Sequence, residues 1–203
     1  QSLCLEMQVA RSRAFTEYWA PVARDVFGGD GPLWQADNLH RWATRVQAGC
    51  IRVDADAVTY PLHIMLRFRL EQRLVDGSLD PADVPEAWEA EMQTLLGIRP
   101  PNLSIGCLQD IHWFDGAFGY FPTYSLGAMA AAQLFQAAER AIPTLHEALA
   151  QGDASPVVAW MRANVHELGC LHAPDDLLRA ATGSVLSADA FKRHIQERYL
   201  SPT

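Results

Sequence analysis

The chain has 203 residues, 49% of them hydrophobic and 20% charged, with a formal net charge of −8. A chain of this length buries roughly 70% of the surface it exposes when unfolded, so its stability calls for neither a disulfide framework nor a structural metal. The acidic balance disfavours nucleic acid as the main partner, because phosphate binding needs a basic surface, and no apolar run approaches the ~20 residues of a membrane span.

The chain opens at Gln1 already inside a helical pattern. Leu3, Met7, Ala10, Ala14 and Tyr18 follow the i, i+3, i+4 rule, with Phe15 and Trp19 beside them. Only Ser2 precedes that pattern as a cap, so a chain cut from a longer one is expected. No charged leader followed by an apolar core is visible, and the expectation is no signal peptide. Gly28 to Pro32 is a break, and a second helix is predicted from Leu33 to about Gln47, ending at Gly49. Cys50-Ile51-Arg52-Val53, short and β-branched, is the best strand candidate.

Asp54 or Asp56 can cap a long helix carrying Val58, Leu62, Met65, Leu66, Leu70 and Leu74, with Pro61 in its first turn and Gly77 at its end. Asp83-Val84-Pro85-Glu86 makes a capping box for the next helix, which stops at Gly97. From Ile98 to Tyr120, two consecutive prolines, glycines and aromatics with no helical period predict a long irregular segment, a kind that is usually functional. Helix resumes at about Pro122 and runs to Gly152, bent or broken at Pro143. Ser155-Pro156 opens another that ends at Gly169, and two shorter helices follow over Asp175 to Ala181 and Ser187 to Leu200. There is no internal repeat and no separating linker. The expected fold class is mainly α with a very small β element.

Chemistry is sparse outside one stretch. Cys4, Cys50, Cys107 and Cys170 lie far apart with no CxxC pair, which reads as four reduced thiols in a cytoplasmic protein. His166-Glu167-Leu168-Gly169-Cys170 is the nearest approach to HExxH, but its fifth position is Cys and Gly169 would end the helix between the ligands. His40, His146 and His194 read as ordinary surface residues. No GxSxG, P-loop or GxGxxG sequence is present. What stands out is Gly106-Cys107-Leu108-Gln109-Asp110-Ile111-His112-Trp113, followed by Gly116 and by Gly119-Tyr120-Phe121-Pro122-Thr123-Tyr124. A histidine beside carboxylate, carboxamide and indole groups suits the holding of a polar substrate. Asp110 or Gln109 would orient the imidazole, and tyrosine hydroxyls would donate to an oxyanion. A packed aromatic loop whose polar groups satisfy one another accounts for the same residues equally well.

The segment from Gly106 to Trp113 resembles the GxxQDxHW motif of the thermostable (Taq-type) zinc carboxypeptidases. Ile51-Arg52-Val53-Asp54-Ala55-Asp56 resembles their (I/V)RxxAD motif, and the stretch from Gly119 to Gly127 is similar to the one that follows in that family. The motifs stand in family order, and the resemblance covers essentially the whole chain. It implies a mainly α, zincin-like carboxypeptidase lobe, with residues 1–203 as the C-terminal portion of a single catalytic domain. It also implies a metal-dependent exopeptidase that removes C-terminal residues from peptides, typically as a homodimer.

Gln1-Ser2 resembles the end of the family's His-Glu-(Ser/Thr)-Gln-Ser motif, whose Glu is the third zinc ligand. By that resemblance HExxH and the third ligand lie upstream of residue 1. Zinc, or another divalent metal, then belongs to the complete protein, with none expected on this chain and no hydrolysis by it alone. In such an exopeptidase Arg52 is expected to take the substrate's terminal carboxylate in a bidentate pair, since only a chain end offers that group, the alternative being a salt bridge with Asp54 or Asp56. His112 with Tyr120 or Tyr124 is expected to stabilise the oxyanion, with Gln109 and Asp110, counted with Arg52 as substrate-binding residues, orienting them. The rival expectation is a non-catalytic helical fragment or a dimerisation module.

Overall fold

Apolar residues at helical spacing form most of the chain's helices, and Gly28, Gly97 and Gly183 end three of them with a left-handed residue. The computed structural model describes residues 1–200. In chain order its α-helices are α1 (Arg13–Phe27), α2 (Ala36–Ala43), α3 (Tyr60–Val75), α4 (Val84–Leu96), α5 (Pro122–Ala141), α6 (Leu145–Ala150), α7 (Ser155–Met161), α8 (Pro174–Thr182) and α9 (Asp189–Ile195). Wider π-helical turns run over Cys4–Ala10, Arg162–His166 and Gln196–Leu200. Among the described residues there is no β-strand.

Besides the expected capping box at Asp83, whose side chain makes no cap hydrogen bond, four local outcomes differ from the sequence expectations. The first helical pattern is split, because Ser12 turns extended and its Oγ accepts the amide of Phe15, capping α1 afresh. The second helix is shorter than Leu33 to Gln47. Pro32–Trp34 form a 3₁₀ turn, and beyond Ala43 the Gln47 amide donates to Asp56 Oδ2 instead of continuing the ladder. His194 is buried, only 7% exposed, where a surface residue was expected.

The fourth difference is the absent β element. Ile51 is extended (φ −94°, ψ 121°), but Arg52–Asp54 curl into a 3₁₀ turn. A lone strand has no partner for its backbone groups, and here the side chain of Gln109 supplies one. Its Oε1 accepts the Arg52 amide at 2.9 Å, and its Nε2 donates to the Cys50 carbonyl at 3.0 Å. One carboxamide does what a neighbouring peptide unit would do in a sheet.

The chain divides into two compact units, Gln1–Arg45 with Gly127–Thr203, and Val46–Leu126. In the first, Cys4, Val9, Phe135, Leu145, Leu149 and Val157 form the core, and a smaller cluster gathers Leu134, Met161 and Val165. In the second, α3 and α4 pack through Leu66, Leu70, Trp88, Met92 and Leu96, with Cys107 from the following loop. Burying one such side chain contributes about 1.5–3 kcal/mol. Alongside that apolar stripe α3 carries a polar one: His63, Arg67 and Glu71 stand at i, i+4 and i+8 and are 0%, 0% and 5% exposed. Buried polar groups at that spacing must find partners, and the long loop after α4 provides them.

Candidate functional site

Asp110 lies between two guanidinium groups. Its Oδ1 accepts from Arg52 Nε at 3.1 Å and Nη2 at 2.8 Å, while Oδ2 accepts from Arg67 Nε at 2.6 Å with Arg67 Nη2 at 2.5 Å. Arg67 completes its fork by donating from Nη1 to the His63 carbonyl at 2.9 Å. All three side chains are nearly dry, at 8%, 0% and 10% exposed for Arg52, Arg67 and Asp110. Burial alone would push the Asp110 carboxyl up. The Arg67 charge and the hydrogen bonds from both arginines outweigh it and hold the carboxyl below the usual carboxylate range. Burial pulls the Arg67 guanidinium down to about 10, which leaves it protonated at neutral pH. Two cations therefore face one anion, a formal excess of one positive charge.

Aromatic rings brace both arginines. Arg52 Cζ sits 4.7 Å from the Tyr124 ring centroid, and Arg67 Cζ lies 4.6 Å from Trp88 and 5.5 Å from Phe121. On the same Phe121 ring, 4.5 Å away, lies the imidazole of His112. His112 Nε2 and Tyr124 Oη are 2.8 Å apart. His112 Nδ1 stands 3.8 Å from Asp110 Oδ1, beyond hydrogen-bonding reach. The half-exposed Tyr120 ring flanks the pair, 5.6 Å from His112 and 5.4 Å from Tyr124.

Glu71 ties the loop down from α3. Its Oε2 accepts from Trp113 Nε1 at 2.8 Å and its Oε1 from the Gly119 amide. Gly119 has φ 78°, a left-handed turn that glycine adopts without steric cost. Trp113 in turn packs edge-on against Trp88 and Phe121. The irregular segment is thus tied down at its middle by Gln109 and toward its exit by Glu71.

Arg52, Asp110, His112, Tyr120 and Tyr124, singled out in the sequence, are brought together. The alternative partners of Arg52 are not used. Asp54 lies exposed, and Asp56 accepts from Val58, Thr59 and Gln47 instead. Gln109 is engaged with the backbone of Cys50, Ile105, Gly106 and Arg52, so it supports the Arg52 turn. His63, Arg67 and Glu71 went unnoticed in the sequence. Their signal was legible: charged and polar residues every fourth position beside the Leu62, Leu66, Leu70 stripe.

The cluster offers an excess positive charge beside a phenol–imidazole pair. That suits a ligand presenting a carboxylate next to a carbonyl whose oxygen gains charge. Among the described residues no three His, Cys, Asp or Glu side chains converge as metal ligands. His166 and Glu167 are exposed at the end of a π-helical turn. These residues do not by themselves fit a divalent metal.

Comparison with known proteins supplies the context. Residues 1–199 match the model of the carboxypeptidase Taq (M32) metallopeptidases. Thermostable carboxypeptidase 1 of Pyrococcus furiosus is 38% identical over 98% of this chain and 40% of its own length. Its namesake from Thermus thermophilus is 41% identical, over 98% and 39%. Among solved structures, Trypanosoma cruzi metallocarboxypeptidase 1 superposes with a TM-score of 0.94 at 42% identity, covering 99% of this chain and 42% of that one. The chain thus spans about 40% of the length of the relatives it matches.

Proposed function

Because this chain belongs to the carboxypeptidase Taq (M32) metallopeptidase family, we propose that it forms the substrate-facing part of a metallocarboxypeptidase that removes C-terminal residues from peptides. Arg52 receives the terminal carboxylate of the peptide. Only a chain end carries that group, so the contact selects exopeptidase substrates. Tyr124, its oxygen accepting from His112 Nε2, donates its hydroxyl proton to the oxyanion that forms on the adjacent scissile carbonyl; His112 orients it, and Tyr120 lines its edge. Gln109 and Asp110 hold Arg52 in place. The divalent metal of the family, proposed as zinc, takes its ligands from outside these residues, and the 203 residues alone do not hydrolyse peptides. The working form is a cytoplasmic homodimer; no helix among the described residues is long and apolar enough to cross a membrane.

The observation that carries this reading is the pair of buried arginines on one carboxylate, 2.8 Å and 2.6 Å from it, next to the His112–Tyr124 pair. Its test is Arg52→Met in the complete metal-loaded protein, assayed on an N-blocked dipeptide acid and on its amide. Removing a buried charge partner costs about 2–5 kcal/mol, so kcat/KM for the acid should fall roughly thirtyfold or more. A variant that keeps its metal and still prefers the acid over the amide as strongly as its parent would refute the role of Arg52.

A further inference from the structure

We infer that Arg67 is a positioning residue for carboxylate capture: it neutralises Asp110 from behind, so that the charge of Arg52 remains free for the substrate. This rests on the reading of Arg52 as the carboxylate-binding group.

Arg67 cannot touch a ligand itself, being 0% exposed and walled in by Trp88 and Phe121. Its whole fork points at Asp110 and the His63 carbonyl. Without it, Arg52 and Asp110 would form a closed one-to-one pair, and an incoming carboxylate would meet a neutral site with a resident anion already on the guanidinium. With it, the two oxygens of Asp110 are divided between two cations, Oδ1 for Arg52 and Oδ2 for Arg67. A substrate carboxylate then completes a two-to-two arrangement. Asp110 also fixes the orientation of Arg52 by accepting from both Nε and Nη2, a geometry that a free arginine would lose entropy to adopt.

The charged and titratable groups facing Asp110 are Arg52, Arg67, His63 and His112. Glu71, one turn further along α3, is turned to Trp113 and Gly119. With Arg67 removed, Asp110 keeps its burial and loses one of its two cations, so its carboxyl titrates higher than in the parent. Protonating it releases Arg52. A merely structural arginine would have no such signature.

The test uses the full chain and isothermal titration of N-acetyl-phenylalanine and its carboxamide, from about pH 8 down to about pH 5, where the ligand carboxyl stays ionised. Far-UV circular dichroism confirms the fold of each variant. Arg67→Met should bind the acid at least about tenfold more weakly at neutral pH, since one unit charge a few ångströms away is lost. Amide binding should stay unchanged. The loss should shrink as the pH falls, relative to the parent. Arg67→Lys, which keeps the charge, and the double variant Arg67→Met/Asp110→Asn, which leaves Arg52 unopposed, should both recover acid binding. The double variant also tests the inference should Arg67→Met alone fail to fold. Equal acid affinity in parent and Arg67→Met would overturn the inference, as would a loss that neither lower pH nor Asp110→Asn relieves. A parent that does not distinguish acid from amide would instead overturn the Arg52 reading beneath it.

Discussion

Replacing Asp110 by Asn removes one charge from the middle of the cluster and almost no volume. Arg67, 0% exposed, then keeps a buried positive charge with no anion beside it, only the His63 carbonyl, a neutral amide and the Trp88 and Phe121 rings, and Arg52 repels it. Breaking a buried ion pair by removing one partner typically costs about 3–5 kcal/mol. Asn retains one acceptor oxygen for the forks, so a value near the lower end, about 3 kcal/mol, is expected. With a urea m-value of about 2 kcal/mol/M, the unfolding midpoint should drop by roughly 1.5 M at unchanged m. The transition can be followed through Trp88 and Trp113, which pack edge-on in the same unit. The double variant with Arg67→Met should be more stable than Asp110→Asn alone, because the unpaired buried charge is gone. The sign with pH is fixed too. The Asp110 carboxyl is held below its ordinary range, so its contribution is complete above the unfolded value near 4 and is lost as pH falls through the lower folded value. A midpoint shift under about 0.3 M would refute the view that this carboxylate holds two buried cations together.

Three more outcomes follow from other parts of the molecule. Gln109→Leu should destabilise the second unit by about 2–4 kcal/mol in urea titration, since the Arg52 amide and the Cys50 carbonyl both lose their partner. Gly152→Ala should cost about 1–3 kcal/mol in thermal unfolding, because φ is +79° there and a Cβ would meet the Tyr18 ring at 2.5 Å. Burial beside Arg67 lowers the His63 imidazole to about 4 and burial beside Arg198 lowers that of His194 to about 3, so both fold as neutral rings. Their contribution is complete above the unfolded value near 6.5 and should drain away as pH drops toward those values. For His63 this amounts to on the order of 3 kcal/mol, and His63→Gln should flatten the stability profile between about pH 6.5 and pH 4.

The sequence was most informative where local rules decide the structure. The long helix with Pro61 in its first turn is α3, and the irregular run after Gly97 lies between α4 and α5, as composition implied. Arg52, Asp110, His112 and Tyr124, from separate motifs, lie together, but Asp110 holds Arg52 and neither it nor Gln109 orients the His112 imidazole. What the sequence concealed depends on distant contacts. Cys50 to Val53 has strand chemistry, but only a partner makes a strand, and a glutamine 57 residues from Arg52 stands in for one. Arg67 looked like one more charged helix residue, because its exposure is set by Trp88 and Phe121 from other elements. His194 likewise sits on a polar-looking stretch yet is buried against Phe191 and Tyr199. Periodicity locates a face; only packing reveals what covers it.

A crystal structure of the complete protein with an N-blocked dipeptide acid bound would show directly whether Arg52 receives the terminal carboxylate. A ligand carboxylate oxygen should lie about 3 Å from the Arg52 guanidinium, with Asp110 still bridging Arg52 and Arg67 and the scissile carbonyl oxygen facing Tyr124 and His112. A dipeptide whose carboxylate sits on another cation, with Arg52 still closed on Asp110 alone, would rule out carboxylate capture by Arg52.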